Sequence, residues 1–320
     1  MKYVGIVTQQ RRNNIKSLVL LVFFPLLLFV LLYIGCFVWA ASDNDYYNSI
    51  GFANNLFLGS FPCVAVIILV WFIIAYFANV YIIDRATGAH ALERKENKRV
   101  YNLVENLCIS CGMTMPKVHV IEDPALNAFA SGVSSKSYTV TLTRGIINKL
   151  DDKELEGVIA HELTHIRNND VRVLIISIIF VGIFAMAAEL SVRAFFSSGR
   201  RIDNRGGKNN AAGTFFLMLL VLVLAAIGYG ISMLMRFAIS RKREYMADAG
   251  AVALTKDSMA MASALRKISG NSVLQKKQNE SVARLFIEHK PSGRGLGAAF
   301  ASLFSTHPPI EKRIEVLEQF

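Results

Sequence analysis

The chain has 320 residues, enough for one large domain or two smaller ones, and 53% of them are hydrophobic, with a mean hydropathy of +0.39. That is too apolar for an ordinary soluble enzyme and places the chain in a membrane. A net charge of +11 would suit nucleic acid, but the basic residues cluster beside apolar runs, where Lys and Arg meet anionic headgroups and set orientation; the lipid bilayer is the expected partner and nucleic acid is set aside.

Residues 1–16 carry Lys2, Arg11, Arg12 and Lys16 with no acid and lead into an apolar run from Ser17 to Ala41. The run is too long for the h-region of a cleaved signal peptide and predicts a transmembrane helix. The segment from Ser42 to Asn55 has Asp43 and Asp45 but no Lys or Arg, and reads as a loop. A second span is predicted from Phe57 to Ile83, ending in Asp84-Arg85 and followed by Arg94, Lys95, Lys98 and Arg99. Under the positive-inside rule both basic stretches are cytoplasmic and the acidic loop is outside.

An amphipathic helix is expected from Ala91 to Met113. Val100, Leu103, Val104, Leu107, Cys108 and Cys111 recur on it at helical spacing, so the C-x-x-C reads as two small core residues rather than a metal or redox pair. Lys117–Ile121 and Tyr138–Leu142 are β-branched runs separated by Gly and Ser and read as strands of a small sheet, with His119 pointing to solvent.

Next comes Asp151-Asp152-Lys153-Glu154, a capping acid with further acids in the first turn, and an apolar stripe of Leu155, Val158 and Ile159. These predict a helix that carries His161-Glu162-Leu163-Thr164-His165. Two histidines four residues apart leave one helix face and can take two corners of a zinc tetrahedron, while Glu162 can take a proton from water attacking a carbonyl. Three fixed letters recur by chance in about one chain in a hundred of this length, so the motif needs a third ligand in support.

Two more apolar runs follow, Val171–Phe196 and Thr214–Ala238, joined by a Gly-, Asn- and Arg-rich loop from Ser197 to Gly213. The basic loop conflicts with two full crossings: either the first hairpin dictates orientation or the second dips in without spanning. Glu189 and Arg193 read as an interfacial i,i+4 ion pair. After the fourth run, Glu244 supplies a third ligand and Asp248, one turn later, a carboxylate for a histidine ring N–H; the bland alternative for both is a solvated helix face. Gly293, Gly295 and Gly297 lack a preceding strand and read as hinge glycines rather than a nucleotide loop.

Four stretches together carry a resemblance that covers almost the whole chain: His161–His165 with Asn169-Asp170, Glu244–Asp248, Asn127–Ala130 after Glu122-Asp123-Pro124, and Ser305–Pro309. The chain resembles the HtpX family of membrane zinc endopeptidases, gluzincins related to the CaaX prenyl proteases. The resemblance implies that His161, His165 and Glu244 bind one Zn2+ per chain, that Glu162 is the general base, and that Asp248 supports a ligand from behind. It also implies that Asn127 and Ala128 lie on an edge strand that binds extended substrate, and that His307 and Arg313 approach the scissile carbonyl.

The expected architecture is a mainly α integral membrane protein with about four hydrophobic segments and a zincin-like α+β protease domain carrying a small β-sheet. Residues 1–85 form an N-terminal hairpin, 86–170 and 240–320 the two halves of the protease domain, and 171–239 a second hairpin. The expected function is zinc-dependent cleavage of unfolded or damaged membrane proteins, in quality control and stress response, with the active site on the cytoplasmic face of a bacterial inner membrane. The alternatives are a non-proteolytic scaffold or transporter with a structural metal, and a prenyl-protein processing protease.

Overall fold

The computed structural model describes residues 6–41, 46–180, 223, 241–269 and 309–319. These fall into two compact units, one containing residues 17–41, 46–77, 176–180 and 223, the other residues 6–16, 78–175, 241–269 and 309–319.

The first unit is built on two long helices, α1 (Ile6–Ala41) and α2 (Tyr46–Thr87). At 1.5 Å per residue α1 is about 54 Å long, against roughly 30 Å of bilayer hydrocarbon. Both helices are long and apolar enough to cross a membrane, over Thr8–Phe37 and Ser49–Thr87, and only 11% and 0% of their most apolar windows are buried, unlike the core helix of a soluble protein. Val19, Val22, Leu26, Ile67, Val70 and Phe77 stand exposed, an apolar surface suited to lipid. Aromatic rings fill the seam: Phe29 meets Phe61 at 4.6 Å between centroids, Tyr33 meets Phe57 edge-on at 5.5 Å, and Phe24 stacks on Phe180 at 4.4 Å.

The expected loop to Asn55 is corrected here, because α2 already begins at Tyr46. Its polar residues are compatible with a helix: Asn54 accepts a hydrogen bond from the Tyr33 hydroxyl at 3.0 Å. Of the third apolar run, residues 171–180 are helical (α6, residues 170–180). The rest of that run, the fourth run, the loop between them, Glu189 and Arg193, and Gly293 to Gly297 lie outside the described residues.

The second unit is α+β. Its four-stranded sheet, in the order β1-β2-β4-β3, comprises β1 (His90–Ala91), β2 (Lys117–Ile121), β3 (Ala128–Ser131) and β4 (Thr139–Thr143). β2 and β4 pair in parallel, with Val118 opposite Val140, and β1 and β3 pair antiparallel on either side. Helix α3 (Lys98–Cys111) starts later than its periodicity predicts, because Asn97 caps it by accepting from the Val100 amide at 3.1 Å. It stops at Gly112, whose φ of 64° is the left-handed turn that glycine takes without strain. On α3, Cys108 is buried and burial, then Cys111, pushes its thiol up to about 12; Cys111 itself is half-buried.

His119 is corrected from the solvent to the interior. Its strand lies between β1 and β4, and its Nδ1 sits 3.1 Å from Asp84 Oδ1 at the end of α2. After the short α4 (Arg144–Lys149) comes α5 (Asp152–Arg167), the central helix of the unit. Arg99 of α3 secures its start, donating to the Ile147 and Leu150 carbonyls at 2.8 and 2.7 Å and to Asp152 at 2.5 Å. Helices α7 (Arg241–Thr255), α8 (Ser258–Ile268) and α9 (Ile310–Leu317) complete the unit. α5 packs against β3, β4 and α3 as well as α7 and α8.

Candidate metal centre

The sequence of α5 fixes where the helix begins. The Asp151 side chain accepts from the Glu154 amide and the Glu154 side chain accepts from the Asp151 amide, both at 3.0 Å, a closed capping box. Glu154 is also clamped by α8, accepting from Ser263 Oγ at 2.7 Å and from Lys267 Nζ at 2.6 Å. Burial opposes its charge, but the bonds from Lys267, Ser263 and the Asp151 amide outweigh it and hold the carboxyl below its ordinary range. The helix is buried well beyond the expected stripe: Leu155, Val158, Ile159 and Leu163 are essentially inaccessible, and so are His161, Glu162 and Thr164.

α7 reaches α5 closely because its contact face is small. Ala247 and Ala251 are fully buried, and at Gly250 a Cβ atom would lie only 2.4 Å from Thr164 Cγ2. This approach brings Glu244 onto the two histidines. The Nε2 atoms of His161 and His165 are 3.2 Å apart; Glu244 Oε1 is 3.4 Å from His165 Nε2 and Glu244 Oε2 is 3.7 Å from His161 Nε2. Bonds of about 2.0–2.2 Å to a tetrahedral ion put neighbouring ligand atoms about 3.3–3.6 Å apart; the three separations, 3.2, 3.4 and 3.7 Å, lie within about 0.1 Å of that range, and the donor types suit zinc.

The other ring nitrogens explain why these atoms converge. His161 Nδ1 lies 2.9 Å from Asp248 Oδ1, and His165 Nδ1 lies 3.1 Å from Asp170 Oδ2. A neutral ring that gives its Nδ1 hydrogen to the facing carboxylate leaves its Nε2 lone pair bare. In that tautomer two ring nitrogens and a carboxylate converge on one point and repel one another unless positive charge balances them, part of which Arg313 supplies from 3.4 Å off His161 and 3.5 Å off Glu244. Burial, and for His161 also Arg313, works against protonating the rings, yet Asp248, Asp170 and Glu244 prevail and push both histidines up. The same carboxylates would favour a cation between the two rings.

Arg313 closes the far side. Fully buried on α9, it grips Asp248 with two bonds, Nε to Oδ2 at 2.9 Å and Nη2 to Oδ1 at 2.6 Å, and its Nη1 is 3.5 Å from Glu244 Oε2. Burial would raise Asp248, but the guanidinium and His161 hold its carboxyl below the ordinary range. Glu162 is buried next to His161 in the chain and near enough to Arg313 to add to the field on it. Asp248 and Arg313 therefore form one clamp behind His161.

Asn127 and Ala128 lie at the start of β3, which the strand order places at an end of the described sheet. The Thr143 amide donates to the Asn127 carbonyl at 3.0 Å, so residues 127, 129 and 131 turn their backbone groups to β4, whereas Ala128 and Ala130 turn theirs to the other side. The Asn127 side chain takes up the Ala128 amide at 2.9 Å. His307 lies outside the described residues.

Residue patterns alone did not assign a role to Asp170. Its signal was weak: an acid five residues after His165, past the helix end. It is brought back by Asn169, whose φ of 59° is left-handed and ends α5. Among the described residues, His161, His165 and Glu244 are the one group of His, Cys, Asp or Glu side chains whose ligand atoms, all within 4.8 Å of one another, could hold a metal.

The profile of peptidase family M48 matches residues 94–320, which contain every side chain of this cluster. A protease HtpX homolog of Bacteroides fragilis is 56% identical over 326 aligned positions, covering 100% of both chains. Homologs of the same name in Listeria monocytogenes and Tropheryma whipplei are 35% and 40% identical, covering 96% and 77% of this chain and 97% and 80% of theirs. The crystal structure of S. mikatae Ste24p aligns with 97% of this chain and 66% of its own at a TM-score of 0.42 and 19% identity. With a family profile spanning most of its length and relatives matched from end to end, the chain belongs to peptidase family M48, among the HtpX-type proteases.

Proposed function

We propose that this chain is a membrane-anchored zinc endopeptidase that cleaves unfolded or damaged segments of membrane proteins at the cytoplasmic face of a bacterial inner membrane, as part of quality control under stress. About four hydrophobic segments would anchor it. The observation that carries the proposal is the meeting of His161 Nε2, His165 Nε2 and the Glu244 carboxylate beside Glu162, in a member of a peptidase family with two helices suited to crossing a membrane.

When bound, zinc supplies Lewis acidity, polarising a carbonyl and making water more acidic. His161, His165 and Glu244 would hold it. Asp248 and Asp170 keep both rings in the tautomer that offers Nε2. Glu162 takes the proton from the water that attacks the scissile carbonyl and passes it to the leaving amine. By family resemblance Arg313 and His307 would balance negative charge developing on the carbonyl oxygen. By family resemblance an extended chain would add to β3 as a further strand, pairing with the Ala130 backbone and the Ala128 carbonyl, since the Asn127 side chain already holds the Ala128 amide; that mode asks little of sequence and fits unfolded substrates.

A structural metal would fill its fourth position with a protein ligand, and among the described residues the candidate cluster has three. That favours the enzyme over a scaffold or transporter. The test is to incubate the detergent-purified protein with an unfolded membrane protein, with and without a chelator. Cleavage that stops with chelation and with Glu162→Gln is expected; cleavage indifferent to both would overturn the proposal.

A further inference from the structure

The carboxylate that orients His165 is itself held from a distant part of the chain. Asp170 uses Oδ2 for His165 Nδ1 and Oδ1 for the Asn13 side chain, whose Nδ2 donates at 2.8 Å. The same Asn13 amide nitrogen donates its other hydrogen to the Asn168 carbonyl at 2.7 Å. One buried amide thus bridges the two sides of the left-handed turn at Asn169. Its neighbours on that face of α1 do similar work: Gln10 Nε2 donates to the Arg167 carbonyl at 2.7 Å, and Asn14 Oδ1 accepts from Asn169 Nδ2 at 3.1 Å. Residues 10, 13 and 14 are spaced i, i+3, i+4, one face of a helix, and all three meet residues 167–169 or Asp170.

From these contacts we infer that Asn13 is a positioning residue of the metal centre, acting through Asp170 on His165. A carboxylate can rotate about its Cβ–Cγ bond, and its usefulness to His165 depends on which oxygen faces Nδ1. Asn13 pins Oδ1 and so presents Oδ2 to the ring. Among the described residues, the other donor to Oδ1 is Arg243 Nη1, on the helix that bears Glu244, at 3.4 Å, near the outer limit for a hydrogen bond. Without Asn13, the charge of the carboxylate is shared with the cations near it, Arg243 and Lys16. The neutral Asn13 amide fixes the oxygen while leaving the negative charge for the imidazole. Asn13 is fully buried, so solvent does not readily replace its bond. The polar N-terminal face of α1, which by composition looks like the flank of a membrane anchor, becomes a working part of the site.

This inference rests on reading His161, His165 and Glu244 as metal ligands. The experiment uses the full-length protein in detergent and measures zinc affinity by chelator competition, with the thermal stability of the metal-free form recorded alongside. Wild type and Glu244→Ala test the underlying reading: failure of wild type to take up one zinc, or full retention by Glu244→Ala, defeats the metal site itself. Asn13→Leu, Asp170→Asn and the double variant test the inference. Partners of ligating histidines change metal affinity by about 10–100-fold, and Asn13, one bond further out, is expected near the lower end, about tenfold. Because it acts through Asp170, Asn13→Leu should add no further loss in the Asp170→Asn background. Asn13→Ser, whose shorter hydroxyl cannot reach both acceptors, gives the same comparison should the leucine variant not fold. Affinity within about twofold of wild type with only a lower melting temperature, or losses from the two sites that multiply, would overturn the inference.

Discussion

Gly250→Ala adds one methyl group where the two ligand-bearing helices touch, and its consequence can be worked out from the contacts. The new Cβ would lie 2.4 Å from Thr164 Cγ2, 2.8 Å from its Oγ1 and 3.2 Å from its Cβ. Thr164 cannot simply rotate away: it is buried, β-branched and bonded through Oγ1 to the Ala160 carbonyl at 2.8 Å. Restoring an ordinary carbon–carbon contact of about 3.5–4.0 Å moves α7 away from α5 by about 1 Å or more. The Glu244-to-histidine separations, 3.4 and 3.7 Å now, would both stretch well past about 4 Å, far beyond the edges of a zinc tetrahedron, so zinc affinity should fall at least tenfold. Stability should change less, because overpacking costs about 1–3 kcal/mol while replacing a helical glycine by alanine returns about 1 kcal/mol. Chelator competition reads the first quantity and melting in detergent the second. Adding Thr164→Ala removes the two closest clashes and should recover most of the affinity. A Gly250→Ala protein that binds zinc like wild type would refute the claim that this approach sets the site.

Asp248→Ala should weaken zinc by about 10–100-fold and also destabilise the metal-free protein by about 3 kcal/mol or more, because it leaves the buried Arg313 without its two-bond partner; metal titration and thermal melts check the two effects separately. Glu154→Gln should cost about 1 kcal/mol at neutral pH, since Lys267 is partly exposed and the ion pair is screened. As the Glu154 carboxyl is held low in the folded protein, its contribution is complete above the unfolded carboxylate pKa of about 4.3 and lost as pH falls through the folded value; the variant should therefore show a flatter fall in melting temperature on acidification below about pH 4.5. For topology, in a cysteine-free background a single cysteine within residues 42–45 should react with a membrane-impermeant reagent added to intact cells, and one at Arg94 should not; the opposite labelling would place the active site outside.

Several parts of this arrangement are legible in residue order because their physics is local. The i,i+4 spacing of His161 and His165 fixes a shared helix face whatever surrounds it, and the Asp151–Glu154 capping box fixes where that helix starts. Glu244 and Asp248 are readable as a pair for the same reason, one turn apart on a helix. The pairing of Asp170 with His165 depends on a left-handed turn at Asn169 that residue type only weakly encodes, and Asn13 meets Asp170 across 157 positions of chain, a distance over which no spacing rule operates. β1 and β3, at two and four residues, are too short to show alternation, and β3 came within reach only through resemblance. His119 misled because alternation says which side of a strand a residue faces, not that Asp84 of another element covers that side. Residues 46–55 misled in the opposite sense: their Asn, Ser and Tyr side chains signal a loop in water, whereas in a helical hairpin Asn54 finds Tyr33.

The central claim is that a metal joins α5 to α7 through Glu244, and zinc content measured alongside protease rate in two variants tests it most directly. Glu162→Gln leaves all three ligands in place and should retain one zinc per chain with no turnover. Glu244→Ala removes a ligand and its negative charge and should lose both the stoichiometric zinc and the activity. A Glu244→Ala protein with full zinc and a near-normal rate would contradict the account, since the third ligand would then lie elsewhere even if the two histidines bind metal.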